Sequence, residues 1–480
     1  MSEYLKNNAL LILSFLFIMT NGVLIAMETF WFSLVPFALA LGLMAFLALD
    51  KLMFFIVFAT PLSLSIEEFA LGGVGMFLPT EPLMFGVMII FFLRLIYERK
   101  FDYRVLQHPI TLSILLYLFW IFITTLTSEM ILVSFKYLVS RLWFIISFYF
   151  VGTQLFARYL NINRFLWFFI VPLFGVVVYT TIHHSMYAFG ERSAHWVMQP
   201  FLKDHTVYGA VLAFVYPALF YLAFNPRFKR YQLLTFILIA IYTLGLVFSH
   251  GRAAWISVVV ALLLYGVYRL KIRFSFIFST ALFLGLFIGL FWTQIIKVLE
   301  QNNQDSTSTS LVEHIQSISN ISTDASNLER INRWKSAFRM FEERPIVGFG
   351  PGTYQFQYAP YQANEDLTII STNSGDVGNA HSEYIGPLAE MGFMGTISYV
   401  LIIIVVYYRG SRLYHLLPKG EAKSIVLTSI LGFSTYVVHG FLNNFLDADK
   451  IAVPFWGFIA IIVAIDIYHR DRILKEYTGQ

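Results

Sequence analysis

Apolar residues run along this chain in long blocks separated by short polar turns. A helix needs roughly 20 apolar residues to cross the hydrocarbon core of a bilayer. Only helices and closed barrels can cross, because every backbone polar group must find its partner within the protein. The blocks lack the two-residue alternation of barrel strands, so they predict helices. Spans are expected at 9–27, 30–48, 51–66, 78–97, 109–127, 138–156, 165–183, 206–224, 232–249, 253–269, 274–296, 385–408, 425–442 and 451–468. The expected fold is therefore an all-α polytopic membrane protein of about 12–14 transmembrane helices. The first block, Leu10 to Ala26, is too long for a signal-peptide core and lacks a small-residue cleavage site, so it is expected to be retained.

The basic residues test this threading. Alternate turns carry Arg99, Lys100 and Arg104, then Arg158 and Arg164, Arg227, Lys229 and Arg230, Arg269, Lys271 and Arg273, Arg409, Arg412, Lys419 and Lys423, and finally Arg470, Arg472 and Lys475. All fall on one side, which the positive-inside rule makes the cytoplasm, with both termini there. The opposite turns hold Glu67, Glu68, Glu81, Glu129, Glu191, Asp447 and Asp449. On that outer side Lys136 and Arg141 read as interface anchors.

Composition agrees. Of 480 residues 58% are hydrophobic and 13% charged, the latter about half the share usual in soluble domains. A soluble enzyme, a disordered chain and a secreted disulfide scaffold are excluded. With Cys 0, disulfides, thiol nucleophiles and Cys-bound zinc are excluded too. The net charge of +4 reflects topology, and no nucleic-acid partner is expected.

One stretch breaks the pattern. Residues 297–384 form a long outer loop between transmembrane segments 1–296 and 385–480. The loop opens with the low-complexity run Gln301–Ser310. Further on, Ser326–Asn-Leu-Glu329 is a capping box, and Ile331, Trp334, Phe338 and Phe341 follow at helical spacing. An amphipathic helix near 327–344 is expected, stopping before Pro345. Arg330 and Trp334 share a face, with Arg333 and Arg339 elsewhere around the helix. The helix could simply lie on the membrane with a solvated basic face. Next, Gly348–Phe-Gly-Pro-Gly-Thr-Tyr354 reads as a structural turn or as an amide nest for an anion. In Asn379–Ala-His-Ser-Glu383, Asn379 can cap a helix with His381 and Glu383 in its first turn, and Gly392 can end or kink it. His381 is either a satisfied interfacial residue or a proton acceptor suited to neutral pH.

A second basic centre is Ser249–His-Gly-Arg-Ala-Ala-Trp255, a tight outer turn. Arg252 there either snorkels to the headgroups or faces a cavity or partner. A third outer cluster gathers Arg192, Lys203, Asp204 and His205.

Together these residues resemble the bacterial O-antigen ligases. His381–Ser382 followed after nine residues by Gly392 is similar to the family's His-[Asn/Ser/Gln]-x9-Gly element. Arg330, Trp334, Pro345 and Gly348-x-Gly350-x-Gly352 resemble its Arg-x3-Trp…Pro-x2-Gly-x-Gly-x-Gly run. Ser249–Trp255 is similar to its Ser-Arg-Gly-Ala-Trp turn, with a His inserted and the Gly-Arg order reversed. The resemblance covers roughly 190–445 and implies a GT-C-type membrane glycosyltransferase. Such an enzyme moves a glycan from undecaprenyl diphosphate to an acceptor hydroxyl at the periplasmic face of the inner membrane, without metal, nucleotide sugar or other cofactor. It also implies that Arg252 and Arg330 bind the diphosphate and that His381 is the general base.

The residue chemistry supports those roles. A diphosphate leaving group needs cations, and arginine forks supply them through bidentate contacts. An imidazole can deprotonate a neutral hydroxyl as it attacks. Single displacement would invert the anomeric centre. Arg333 is the rival to Arg330, one turn away, and Arg192, His205, Trp334, Tyr354 and Gly350 complete the candidate substrate-binding set, with Glu383 and Tyr354 orienting neighbours of the base. The expected partners are the lipid-linked glycan donor, a lipid or protein acceptor, and membrane lipids. Lipid A–core is the expected acceptor. A protein O-oligosaccharyltransferase acting on Ser or Thr and a polymerase acting on a second lipid-linked glycan share the architecture. A transporter of lipid-linked glycans would also be all-helical, but internal repeats and interrupted midplane helices would be expected of it.

Overall fold

The computed structural model describes residues 2–65, 76–98, 101–271, 325–368 and 378–479, with Ser371 and isolated positions between 275 and 291. The predicted span at 274–296, the run 301–310 and Glu67 and Glu68 therefore lie wholly or largely outside the described residues. Two compact units are present, Met1–Phe55 and Ile56–Gln480.

In the first unit, α1 (Ser2–Ala26) is followed by α2 (Val35–Leu47), and α3 (Leu49–Ala59) begins there and runs into the second unit. Phe17 stacks on Phe32 at 5.2 Å, and Ser33 donates to Asn21 at 2.9 Å.

The second unit carries the bundle. Its helices are α4 (Thr80–Glu98), α5 (Pro109–Leu126), α6 (Ile131–Leu155), α7 (Leu160–Ser185), α8 (His205–Phe224), α9 (Pro226–Phe248) and α10 (Arg252–Arg269). They continue with α11 (Ala325–Glu343), α12 (Gly386–Leu416), α13 (Glu421–His439) and α14 (Asp449–Thr478). A two-stranded antiparallel ribbon, β1 (Leu64–Ser65) and β2 (Phe77–Leu78), precedes α4.

Among the described residues nine helices are long and apolar enough to cross a membrane: α4 to α10, α12 and α14. The chain is a multi-pass membrane protein. The remaining expected spans within the described residues, 9–27, 30–48, 51–66 and 425–442, fall on helices that miss the criterion for physical reasons. At 13 and 11 residues, α2 and α3 are short of a crossing, and α3 gives way to a 3-10 turn containing Pro61. The uninterrupted apolar part of α1 is Leu11–Ala26. α13 is long enough, but Glu421, Lys423 and its Ser and Thr residues dilute it. It tolerates them because it packs between α8 and α10 rather than facing lipid.

Inside the bundle, close approach depends on missing side chains. A Cβ on Gly432 of α13 would lie 2.7 Å from the Phe214 carbonyl oxygen of α8, and one on Gly457 of α14 would lie 2.4 Å from the Phe165 ring. Every residue of Asp449–Ala464 is buried, so α14 forms the axis of the unit.

Polar contacts gather at the helix ends. At one end His108, Arg409 and Arg470 surround Asp466, and Asn163, Tyr221 and Asn225 meet Glu421. At the other end the turns after α5, α12's entry, α13's exit and the start of α14 meet the loop helix α11 and its surroundings.

Candidate active site

One face of the loop helix is seated on the chain. Ala337 and Met340 of α11 join Phe349, Tyr354, Tyr358, Ala380 and Ala389 in a small buried core. Its basic face is occupied by loop carboxylates: Lys335 and Arg339 both reach Asp366, at 2.5 and 2.8 Å. Burial pushes Asp366 up, but the hydrogen bonds from Lys335 and Arg339 outweigh it and hold the carboxyl below its usual range. The basic face is thus partly solvated and paired with the loop at the same time, since Lys335 and Arg339 stay partly exposed.

The glycine run is packed against the kink of α12. Gly392 interrupts α12 at φ 67 and ψ −171, a conformation open essentially to glycine. Phe349 and Gly350 donate their amides to the carbonyls of Ala389 and Glu390 at 3.0 and 2.8 Å, and Phe393 donates to Pro345 at 3.0 Å. A Cβ on Gly350 would fall 2.0 Å from the Ser128 hydroxyl, and one on Gly348 would fall 2.4 Å from the Glu390 backbone. Gly350, a candidate substrate-binding position, thus sits against the α5–α6 turn. The run and the glycine that follows His381 form one backbone-to-backbone joint.

That joint carries His381. The expected helix start at Asn379 is not there, because α12 begins only at Gly386. Asn379 instead accepts the His381 amide at 3.0 Å and holds the histidine at φ 47 in a turn. Ser382 accepts the amides of Tyr384 and Ile385, both at 3.3 Å, and so closes the turn that leads into α12, whose own N-cap, Ile385, makes no side-chain capping bond. Trp334 donates from its indole to the Ala380 carbonyl at 3.0 Å, tying α11 to the same turn.

Arg333 is the inner residue of the arginine pair. Its Nε donates to Glu329 at 2.8 Å, and its Nη1 reaches the Asn379 carbonyl and His381 Nε2, each at 3.1 Å. Tyr354 is buried and donates its hydroxyl to the Arg333 carbonyl at 2.7 Å. Its ring stacks on Tyr358, over which the guanidinium lies at 5.7 Å. Burial pushes Glu329 up, but hydrogen bonds from Ser371, Arg333 and Thr368 outweigh it and leave the carboxyl below its ordinary range. Burial, then the charges of Arg333 and Arg330, pull His381 down to about 3. The imidazole is neutral at physiological pH.

Arg330 faces the rest of the cluster. Its charge acts on His381, on His205 and on His439, the last residue of α13. Asp204 caps α8 and places His205 at its start, where the His205 ring packs edge-on against His195 at 4.1 Å. His205 Nδ1 is buried and has no hydrogen-bond partner among the described residues. Beside the Ala253 backbone lies His439, so the start of α10, with Arg252 as its first residue, borders the same cluster. The structure thus gathers Arg330, Arg333, His381 and His205, with Arg252 alongside. Arg192 lies on the single-turn helix Glu191–Ala194 with its side chain exposed.

Behind the turn lies a buried network. Glu383 accepts from the Tyr436 hydroxyl at 2.5 Å and from the Leu446 amide at 3.0 Å. Burial raises its carboxyl above the usual range, with Arg141 opposing. Arg141 is not an interface anchor: it is buried, donates to the Leu446 carbonyl at 2.8 Å and pairs with Asp447 at 2.8 Å. Sequence reasoning did not single out Glu329, His195 or His439 as parts of the site. The four-residue spacing of Glu329 and Arg333 was a usable signal, whereas nothing in the sequence links His439 to Arg330.

Residues 234–400 match the family model of the O-antigen ligases. This stretch belongs to the O-antigen ligase family. The match supports a membrane glycosyltransferase function of the ligase or polymerase type and spans Arg252, α11, the glycine run, His381 and Gly392. Asp204, His205 and His439, which complete the cluster, lie outside the ligase match. No curated protein matches the chain.

Proposed function

We propose that this chain is a periplasm-facing glycan ligase that transfers a glycan en bloc from undecaprenyl diphosphate to a hydroxyl of lipid A–core, with inversion and without a metal ion. The observation that carries the reading is the convergence of Arg330 and Arg333 on His381 in a turn held by the glycine joint. Two guanidinium groups one helical turn apart suit a diphosphate, whose oxygens accept paired N–H donors. Arg252, at the start of α10, adds its charge to amides that favour anions. The orphan Nδ1 of His205 beside Arg330 fits the same anion or a sugar hydroxyl.

In the reaction the acceptor oxygen attacks C1 of the donor sugar as its proton passes to His381. The C1–O bond breaks with its electron pair moving to the diphosphate, and the arginines take up the developing charge. Such stabilisation is worth several kcal/mol, about 10²–10³ in rate per donor group, and general-base assistance contributes about 10²–10⁴.

The test is transfer by the purified chain from an undecaprenyl-diphosphate glycan in the presence of EDTA. Lipid A–core, a Ser/Thr peptide and a second lipid-linked glycan are offered in parallel. Transfer to lipid A–core with EDTA present, lost in Arg330→Ala and His381→Ala, is the expected result. Full turnover by Arg252→Ala, Arg330→Ala and His381→Ala variants would refute the mechanism, and transfer only to peptide or second glycan would reassign the acceptor.

A further inference from the structure

We infer that Arg333 is a donor-operated guard on His381: in the donor-free protein its Nη1 occupies the one lone pair of the imidazole, and a phosphate oxygen of the incoming lipid diphosphate takes over that N–H and frees Nε2 to accept a proton. The inference rests on the reading above and deepens it.

The argument starts from donor and acceptor inventories. A guanidinium can only donate, so the Arg333 Nη1–His381 Nε2 contact of 3.1 Å requires Nε2 to be the acceptor. A neutral imidazole has one lone pair, so the proton must sit on Nδ1. In this state the nitrogen that would deprotonate an acceptor hydroxyl is already engaged. An acceptor arriving before the donor meets a blocked base.

The guard is built with care. Glu329 fixes its Nε, and the Asn379 carbonyl shares Nη1 with the histidine. Gly378 lets the 378–381 turn close around it, since a Cβ there would lie 2.0 Å from Nη1. The guanidinium therefore need not leave its carboxylate. Only one of its acceptors changes, and a small rotation of the His381 ring suffices.

The charged groups facing His381 are Arg333, Arg330 and Glu329 from α11 and Asp204 from the turn before α8. Both arginines disfavour the imidazolium. A diphosphate seated on them offsets that, so the same binding event that frees the lone pair makes the imidazole a stronger base. The chemistry is then ordered, donor first.

The test uses the full chain in lipid nanodiscs with ¹⁵N-labelled histidine and inorganic pyrophosphate as probe. The His381 signal is assigned by its loss in His381→Gln. The expected result without pyrophosphate is an Nδ1-protonated, uncharged His381 across the neutral and mildly acidic range. Pyrophosphate should move its titration upward by on the order of one pH unit or more. In Arg333→Gln the titration should start higher and respond less. If that variant does not fold, the wild type still decides the matter through its kinetics. The acid limb of kcat, which reports the donor-bound enzyme, should lie at higher pH than that of kcat/KM for the donor. A merely structural Arg333 predicts a pyrophosphate shift no larger at His381 than at His205 and His439, whereas the guard predicts the largest shift at His381. Pyrophosphate that shifts His205 or His439 but leaves His381 unchanged would overturn the guard and leave the ligase reading intact. Coincident acid limbs would do the same. No response from any histidine would overturn both.

Discussion

The joint between the glycine run and the α12 kink sets up a quantitative test with Gly392→Ala. The native φ 67 and ψ −171 at this position are nearly closed to residues with a Cβ, and forcing one there costs about 1–3 kcal/mol. The added methyl would also sit 2.1 Å from the Ile346 carbonyl oxygen, 2.4 Å from its carbon and 2.6 Å from the Pro345 oxygen. All three are backbone atoms, so no side-chain rotation relieves the overlap, and displacing them costs about 1–3 kcal/mol more. The expected loss is about 2–6 kcal/mol, concentrated where Phe349, Gly350 and Phe393 bond across the joint. Gly352→Ala is the comparator. Its φ is 75, but a Cβ there meets only the Tyr137 side chain, at 3.3 Å, so about 1–2 kcal/mol is expected from backbone strain alone. Thermal unfolding of both variants in detergent gives the global values, and hydrogen exchange at the Phe349 and Gly350 amides localises the change. Equal destabilisation by the two alanines, or unaltered exchange at those amides in Gly392→Ala, would refute the idea that the two glycine elements form one joint.

Three further outcomes follow from the geometry. Glu329→Gln keeps an acceptor for Arg333 Nε but removes the charge that fixes it. The rate should fall about tenfold or more with little change in donor KM, with Glu329→Asp partly restoring it. Glu329 and Asp366 are held below their ordinary values of 4.5 and 3.8, so their contribution is complete above those values and is lost as pH falls through the lower folded ones. Hydrogen exchange along α11 should therefore rise on acidification below about pH 4.5, and protection that stays constant to pH 2 would contradict the assignment. Trp334→Phe retains a ring against Phe441 but leaves the buried Ala380 carbonyl without its indole donor. A loss of about 1–2 kcal/mol in thermal unfolding is expected.

Legibility in the sequence tracked how local each interaction is. Helices α4 to α10, α12 and α14 were readable because lipid imposes its own length and polarity on every exposed span. The short α2 and α3 were harder to judge because apolar runs of that length do not by themselves distinguish a crossing from a shorter helix, and the diluted α13 because it packs between α8 and α10. Arg330, Arg333 and His381 stood out through residue type and spacing. The absence of a helix at Asn379 was not readable, because an Asn can serve equally as an N-cap or as the acceptor in a tight turn. The choice falls to the turn because Arg333 draws the Asn379 carbonyl and His381 toward α11. Arg141 was misjudged for a related reason. One basic residue in an apolar helix looks like an anchor until its partners, Leu446 and Asp447 some three hundred residues away, are known.

The same distinction explains how the cluster can be both costly and stable. Polar groups at a membrane protein's edge must be satisfied or face a ligand. The charges of the loop split along that line. Lys335 and Arg339 are committed to Asp366, Arg333 to Glu329 and Arg141 to Asp447, and these pairs hold the loop helix and the turn at fixed positions. Arg330 acts instead on three histidines, at positions 205, 381 and 439, that approach from three separate segments. At His381 burial, and then repulsion from Arg333 and Arg330, disfavours the imidazolium, so the positive charge there stays on the arginines. An anion entering there gains the arginines' field and at once makes every neighbouring imidazole a better base. Electrostatics alone therefore couples donor binding to proton acceptance, and the Arg333–His381 hydrogen bond makes that coupling specific to one histidine.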